Sequence, residues 1–408
     1  MTRTAFVAAS ALAAAAVLSW PSTALPHETV TTTVLFEREI VRILNAHCVM
    51  CHVERGPSFP LATYEQVWLA KRKISAEVLA RHMPPWAPLP GYGRFANENV
   101  VTQRESQFIV SWMEGLGPRN AGRVFTNTAA QAGGPQPAAV QAHIDLDAWQ
   151  LGQPDLMREL EAVTVEPRRG DDRGDDVDVV RTILDLGGQL SEARRVRAVE
   201  YIPGDRRVVR AAFFTVQETG QWIGSWTPWH GFMTLPDEAA YQLPAGAHIA
   251  AEVHYRRTSE RVVDRGRIGL FFGARASAAP VSDFIVDARK ESGVAARTGS
   301  RRFHAETILA ADTALLALRP DVVPGLASIE MVARRADGTT DVLLFAKDIP
   351  VEWPTPYVFR EPVRLRRGTK LAVTAYVQDA AVVPDGLRLT VSGYALSGAV
   401  QAFGSARP

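Results

Sequence analysis

Residues 48–52 constrain this chain more than any other stretch, because they contain both of its cysteines. The sequence there is CVMCH, so two thiols are separated by two residues and an imidazole follows directly. With this spacing two thiols can add to the two vinyl groups of one haem, while the histidine binds the iron. The alternatives are a disulfide, a thioredoxin-like redox pair and half of a zinc site. A zinc site needs two further soft ligands, and a redox pair needs a βαβ context. We therefore predict one covalent haem c on Cys48 and Cys51, with His52 as the proximal iron ligand.

The first 24 residues have the pattern of a secretory signal peptide. Arg3 is their only charged residue, an apolar run follows, and small residues precede a cleavage site after Ala24. We expect a periplasmic or secreted protein without a membrane span after cleavage, which agrees with a haem that is attached on the exported side. The chain has 45 basic and 44 acidic residues, so it lacks the basic field that nucleic-acid binding requires.

Residues 30–118 have the pattern of a small all-α cytochrome c domain. Apolar residues recur at helical spacing from Phe36 to Leu44, directly before the CVMCH motif. Thr63 and Gln66 match a capping box, and Thr102 and Glu105 match a second one. The sequence therefore predicts three helices around one haem.

The distal iron ligand is predicted to be Met83. It lies in RHMPPW, about 30 residues after the motif, where prolines could hold a loop that points the thioether at the iron. A core methionine is the alternative, and Met113, in the middle of a predicted helix, fits that description better. His82 is the chief rival as distal ligand, and His47 is a weaker one.

The rest of the chain is predicted to be all-β. Residues 119–142 are rich in Ala, Gly, Gln and Pro and are expected to be a linker. Short apolar runs separated by turn signals then follow, which favours two β-sandwich (jelly-roll-like) domains at 143–275 and 301–408, with a second linker at 276–300. The runs are 207–216, 248–255, 268–272, 328–333, 342–345, 370–377 and 387–392. A charged run at 168–178 could bind calcium but lacks the spacing of a calcium loop, so we expect a solvated loop.

The order of these motifs resembles a bacterial family in which a cytochrome c domain precedes a copper type II, ascorbate-dependent monooxygenase domain, similar to peptidylglycine hydroxylating monooxygenase. The first part matches through CVMCH, PLATY at 60–64, MPPW at 83–86 and the closing W…GP at 112–118. The second part matches through WQLGQPD at 149–155, PGDRRVV at 203–209, LPAG at 243–246, HY at 254–255, DG at 337–338, W…Y at 353–357 and GT at 368–369. The resemblance implies two consecutive β-sandwiches that each hold one copper.

The copper ligands of that family are largely lost here. Its adjacent His-His pair falls on Arg210 and Ala211, and only His254 retains a ligand of the same copper. Its P-H-x-H motif falls on residues 320–323, which are PDVV, and its Met ligand has no counterpart around 392–400. A guanidinium has no lone pair to give a metal, and neither do Val or Ala. Copper is therefore predicted to be unlikely.

A replacement metal site could use His230, His248 and His254, because three imidazoles suit copper or zinc. His248 and His254 would lie on one side of a regular strand, but nothing in the sequence places His230 near them. Ordinary core and surface histidines are the alternative.

Three functions compete. The first is a periplasmic monohaem electron carrier for an unidentified redox partner protein, with the β domains serving as a docking or binding module. The second is an enzyme, a haem-coupled copper monooxygenase. The third is a ligand-binding or sensor protein. The loss of the histidine pairs favours the first or the third.

Overall fold

The computed structural model describes residues 32–120, 146–170, 177–291, 300–378 and 385–396. The predicted signal peptide, nearly all of the first linker and the centre of the charged run at 168–178 lie outside these residues. The described chain is mostly β, with 43% strand and 12% helix. No helix in these ranges is both long enough and apolar enough to cross a membrane.

The helical part is short and begins directly before the CVMCH motif. A π-helical turn, Phe36–Ile40, continues into α1 (Val41–His47), and α2 (Tyr64–Leu79) and α3 (Gln103–Glu114) follow. Both predicted capping boxes are confirmed: the Thr63 hydroxyl accepts from the Gln66 amide, and the Thr102 hydroxyl accepts from the Glu105 amide.

The first β region, residues 146–281, contains two four-stranded sheets, with orders β1-β12-β5-β8 and β3-β10-β6-β7, and two smaller sheets, β4-β9-β13 and β2-β11. Its strands are β1 (Leu156–Glu159), β2 (Val163–Val165), β3 (Asp178–Asp185), β4 (Arg194–Val196), β5 (Ala198–Ile202), β6 (Val209–Val216), β7 (Trp222–Trp226), β8 (Phe232–Thr234), β9 (Ala239–Leu243), β10 (His248–Tyr255), β11 (Val262–Asp264), β12 (Arg267–Phe271) and β13 (Ala279–Pro280).

The second β region forms one eight-stranded sheet of order β18-β17-β20-β15-β14-β21-β16-β19, in which every pairing is antiparallel. Its strands are β14 (Ser282–Lys290), β15 (Ser300–Ile308), β16 (Thr313–Pro320), β17 (Leu326–Arg334), β18 (Thr340–Lys347), β19 (Tyr357–Leu365), β20 (Lys370–Gln378) and β21 (Gly386–Ala395). All seven predicted strand runs overlap observed strands. The stretch predicted as a second linker, 276–300, contains β13 and β14, and β14 lies inside this sheet.

Strand β16 joins the two β regions, because both of its faces are buried. Leu315 and Leu318 pack in the core of the eight-stranded sheet, whereas Ala314, Leu316 and Ala317 pack in the core of the first β region. A buried polar cluster adds to this contact. The carboxylate of Asp283 accepts from the Gln221 side chain at 3.0 Å and the Ser392 hydroxyl at 2.6 Å, and it pairs with Arg319. The β-rich fold is compatible with the predicted sandwiches, but one strand, β16, contributes to the cores of both regions.

The prediction of an all-α cytochrome c domain as a separate unit is wrong. The described chain has only three short α-helices, around a core of twelve buried residues that includes Ile43, Val67 and Trp112. The segment between α2 and α3 also leaves this core. Residues 84–97, called here the docking segment, hydrogen-bond along the eight-stranded sheet: the Leu89 amide donates to the Phe345 carbonyl at 2.8 Å and the Ala96 amide to the Val358 carbonyl at 2.7 Å.

The docking segment also contributes side chains to the core of the eight-stranded sheet. Trp86 and Phe95 pack there, each with its ring within 6 Å of the Tyr357 ring. The Asn97 side chain donates to the Pro356 carbonyl at 2.6 Å and accepts from the Val358 amide at 3.1 Å. The helical part and the second β region are therefore packed together. Separating them would expose buried aromatic surface and break the backbone pairing.

We expect Phe95→Ala to lower the free energy of unfolding by about 3–5 kcal/mol, because it empties a fully buried aromatic site. Tyr92→Ala, at a ring of the same segment that is 39% exposed, should cost about 1 kcal/mol. Denaturant unfolding followed by far-UV circular dichroism measures both. A loss for Phe95→Ala no larger than that for Tyr92→Ala would contradict this packing.

Candidate functional site

The CVMCH motif forms a tight turn at the end of α1. Cys48 caps the helix, and the amides of Cys51 and His52 both donate to the Cys48 carbonyl, at 3.1 and 3.0 Å. Both cysteines are free thiols. Burial raises the pKa of each thiol to about 12, so neither is ionised at neutral pH. A thiolate nucleophile is therefore disfavoured, since it needs the ionised sulfur.

The His52 imidazole is held in one tautomer. Its Nδ1 lies 2.7 Å from the carbonyl oxygen of Phe59, and its ring packs edge-on against the Phe59 ring. A carbonyl only accepts, so Nδ1 must carry the proton and the Nε2 lone pair is available. Burial lowers the pKa of His52, and Lys73 lowers it further, so the ring is neutral. Metal-binding histidines commonly have this arrangement, with one nitrogen bonded to a backbone carbonyl.

These residues fit a covalently attached haem. Two unbridged thiols and a neutral imidazole with a free Nε2 lie on one turn, which is the donor set that such a haem requires. The structure thus brings together Cys48, Cys51 and His52.

Met83 lies in the wall of a cavity of about 460 Å³ between the end of α2 and the eight-stranded sheet. Trp86, Asn99, Lys347 and Trp353 also line this cavity, whereas Cys48, Cys51 and His52 do not. Its volume is in the range of small-molecule sites. The assignment of Met83 as the distal ligand stays a prediction.

The rival histidines have other partners. His82 is 69% exposed, and its Nδ1 lies 3.1 Å from a Glu77 carboxylate oxygen. His47 contacts Asn99 through Nδ1 at 3.0 Å and Glu105 through Nε2 at 3.4 Å. His47 would have to give up one of these contacts to bind iron, whereas the Nδ1 contact of His82 does not block its Nε2.

Arg210 connects the CVMCH turn to the β body. In the pairing of β6 with β10, His254 faces Ala211 and Tyr255 faces Val209, so Arg210 is the extra residue of a β-bulge. Its side chain is only 2% exposed, and its Nη2 donates to the Pro57 carbonyl at 3.2 Å. The guanidinium also lies 4.9 Å from the centre of the Trp353 ring. The bulge therefore directs a buried cation from the sheet towards the CVMCH turn.

The sequence indicated only that Arg210 cannot bind copper; it carried no signal for this contact. Burial lowers the pKa of Arg210 to about 10, and the nearby Arg256 adds to the effect, so the group stays charged at neutral pH. At the second copper position of the family, Asp321 pairs with Arg388 at 3.1 Å.

The three histidines of the alternative metal site are not brought together. His248 and His254 lie on the same face of β10, six residues apart, which is about 20 Å along a strand. His248 lies 2.7 Å from Glu218 and His254 lies 2.8 Å from Glu252, while His230 lies in the turn after β7. Among the residues that the structure describes, no group of three or more His, Cys, Asp or Glu is arranged to hold a metal ion.

Comparisons with known proteins leave the resemblance to the monooxygenase family untested. No family model matches the sequence, and no curated protein matches it. Among solved structures, the chain is similar to a Broad Bean Stain Virus structure (9% identity, 62% of this chain and 94% of the other, TM-score 0.26). It is also similar to the major capsid protein P2 of bacteriophage PM2 (7%, 58% and 98%, TM-score 0.24) and to PNGase F, a glycosylasparaginase from Flavobacterium meningosepticum (9%, 59% and 96%, TM-score 0.28). Such low TM-scores support no conclusion about function.

Part of the loss of stability at acid pH should come from His230. Burial lowers the pKa of this imidazole to about 4, whereas an unfolded histidine titrates near 6.5. Between these values the unfolded chain binds more protons, so stability falls as the pH falls from 6.5 towards 4. At pH 5 the loss from this group is about 2 kcal/mol.

We expect His230→Gln to remove that part of the acid sensitivity. Unfolding free energies at pH 7 and pH 5 measure it, with His248→Gln as the control at a more exposed imidazole. An equal pH 7 to pH 5 difference in wild type and His230→Gln would show that the imidazole is protonated as readily in the folded protein as in the unfolded one.

Proposed function

We propose that this protein is an exported monohaem c-type cytochrome that transfers electrons, and that its β regions serve as a docking or binding module. The observation that supports this most directly is the state of the turn at residues 48–52: two free thiols beside a neutral imidazole whose Nδ1 is bonded to Phe59 and whose Nε2 is available. Of the chemistries weighed for the motif, covalent haem attachment is the one that uses all three groups.

The residues of this chain would act mainly by binding and orienting the haem. Cys48 and Cys51 would hold the haem through thioether bonds, and the Phe59 carbonyl would fix the orientation of the His52 ring. When bound, the haem supplies a one-electron redox centre. The docking segment holds the residues after Met83 against the eight-stranded sheet, so the loop that carries the predicted distal ligand is attached to the β body.

A periplasmic or secreted location is part of the proposal, because it depends on the signal-peptide pattern of residues 1–24. The partner would be a redox protein that approaches the haem.

The first expected result concerns the covalent bond. After periplasmic expression with the haem maturation machinery, the protein should retain its haem through acid-acetone extraction, and a pyridine haemochrome assay should give about one haem per chain. The double variant Cys48→Ala/Cys51→Ala should lose the haem to the solvent. Wild-type haem that extracts in the same way as that of the double variant would refute covalent attachment.

The second expected result concerns Met83. If its sulfur binds the iron, the oxidised protein has a weak sulfur-to-iron charge-transfer band at the near-infrared edge, and Met83→Ala removes it. Met113→Ala is the matched control, because it deletes a thioether in the middle of α3 and should leave the band in place. A band that survives Met83→Ala, or ligation that changes only in His82→Ala, would reject Met83.

A further inference from the structure

The contact between the CVMCH turn and the β body contains buried donors that lack acceptors. Within the part of the chain that the structure describes, Arg206 Nε and Nη1, Arg210 Nε and Trp229 Nε1 are buried and have no hydrogen-bond partner. Guanidinium and indole nitrogens donate and cannot accept, so these four groups cannot satisfy one another. A buried donor without an acceptor costs about 1–3 kcal/mol, and more when it is charged.

These groups lie in one region. Arg206 and Arg210 both act electrostatically on the Cys51 thiol and lower its pKa, against the larger opposing effect of burial. Arg210 lies over the ring of Trp353, whose centre is 5.9 Å from that of Trp229. Arg206 lies 5.2 Å from the centre of the Trp226 ring, three residues before Trp229. Both arginines therefore lie against tryptophan rings and close enough to the second cysteine of the motif to act on its thiol.

The contacts of these atoms do not neutralise the positive charge of the two arginines. Among the described residues, Arg210 donates to the carbonyl oxygens of Pro57 and Arg207, and Arg256 and Arg168 add positive charge nearby. Asp147 and Glu352 are the acidic groups that act on Arg206 and Arg210, but the unpaired nitrogens do not bond them.

Arg207 offers a direct comparison, since it lies between the two arginines in sequence. Its guanidinium is bound by the carboxylates of Asp205, at 2.7 Å, and Glu260, at 3.2 Å. A planar carboxylate matches the guanidinium fork, and such pairs are among the strongest polar contacts in proteins. Within the described residues, Arg206 Nε and Nη1 and Arg210 Nε lack such a partner.

We propose that Arg206, Arg210 and Trp229 form a carboxylate-binding site beside the CVMCH turn. The carboxylate has two possible sources, a haem propionate, which depends on the function proposed above, or a free small carboxylate. The propionates of a haem lie on the edge opposite its vinyl groups, so a haem held through Cys51 directs them away from that sulfur. This geometry favours a free carboxylate, whose binding would place a negative charge close to the haem edge.

The free-carboxylate source is tested with benzoate on the full-length haem-loaded protein, with benzamide as the neutral analogue at matched ionic strength. Benzoate should raise the thermal midpoint by about 2 °C or more at saturation, and benzamide should not. The effect should be lost in Arg206→Gln and Arg210→Gln. Arg265→Gln, which removes a charge that is 61% exposed on the same β region, should retain it.

The propionate source gives a different pattern. Benzoate then has no effect on any of the proteins, but the haem reduction potential is lower in Arg206→Gln and Arg210→Gln than in Arg265→Gln, because loss of a nearby positive charge favours the oxidised haem. If Arg210→Gln does not fold, as judged by circular dichroism, Arg206→Gln serves for the same comparison.

The site is refuted if benzoate has no specific effect and the potentials of the two variants equal that of Arg265→Gln. A wild-type protein without covalent haem would refute the function proposed above and not this site, because the benzoate measurement can be made on the haem-free chain.

Discussion

Backbone pairing of the docking segment with β18 and β19 is the constraint on which the arrangement of this molecule depends. It places Trp86 and Phe95 in the core of the eight-stranded sheet, and the ends of the segment lead to α2 on one side and to α3 on the other. The Leu89 and Ala96 amides and the Ala87 and Arg94 carbonyls bond the sheet, so detaching the segment would expose unpaired backbone groups as well as aromatic surface. The turn at 48–52 is thereby held next to the β body.

Two buried polar contacts add orientation to this packing. Arg210 reaches the Pro57 carbonyl from a bulge in β6, and Asp283 gathers donors from Gln221, Arg319 and Ser392 where the two β regions meet. Such contacts gain little net stability over apolar packing, but removal of one partner is costly because a buried charge is left behind. They therefore act chiefly to exclude other arrangements of the same surfaces.

Local features of the fold could be predicted from the sequence, and distant ones could not. The capping boxes at Thr63 and Thr102 depend on residues three apart, and β10 was predicted with its observed ends because its buried and exposed residues alternate. The separate all-α domain was predicted in error because residues 84–97 pair with strands more than 200 positions away, which no local pattern reports.

At the candidate site, too, local features could be predicted from the sequence and distant contacts could not. Adjacent residues specify the CVMCH turn and its chemistry, whereas the bond from His52 to Phe59 closes a loop whose geometry is not visible in the spacing. The contact of Arg210 with Pro57 joins residues 153 positions apart and depends on a bulge, so the sequence could show the loss of a metal donor there but not the new partner.

The position of its partners in the sequence also determines when the docking segment can form its contacts during synthesis. Asn97 bonds to Pro356 across 259 positions, so this contact cannot form until almost nine-tenths of the chain has been synthesised. Closing so long a loop costs entropy that local helix contacts do not incur. During synthesis, therefore, the turn with both cysteines emerges long before the strands that hold the docking segment.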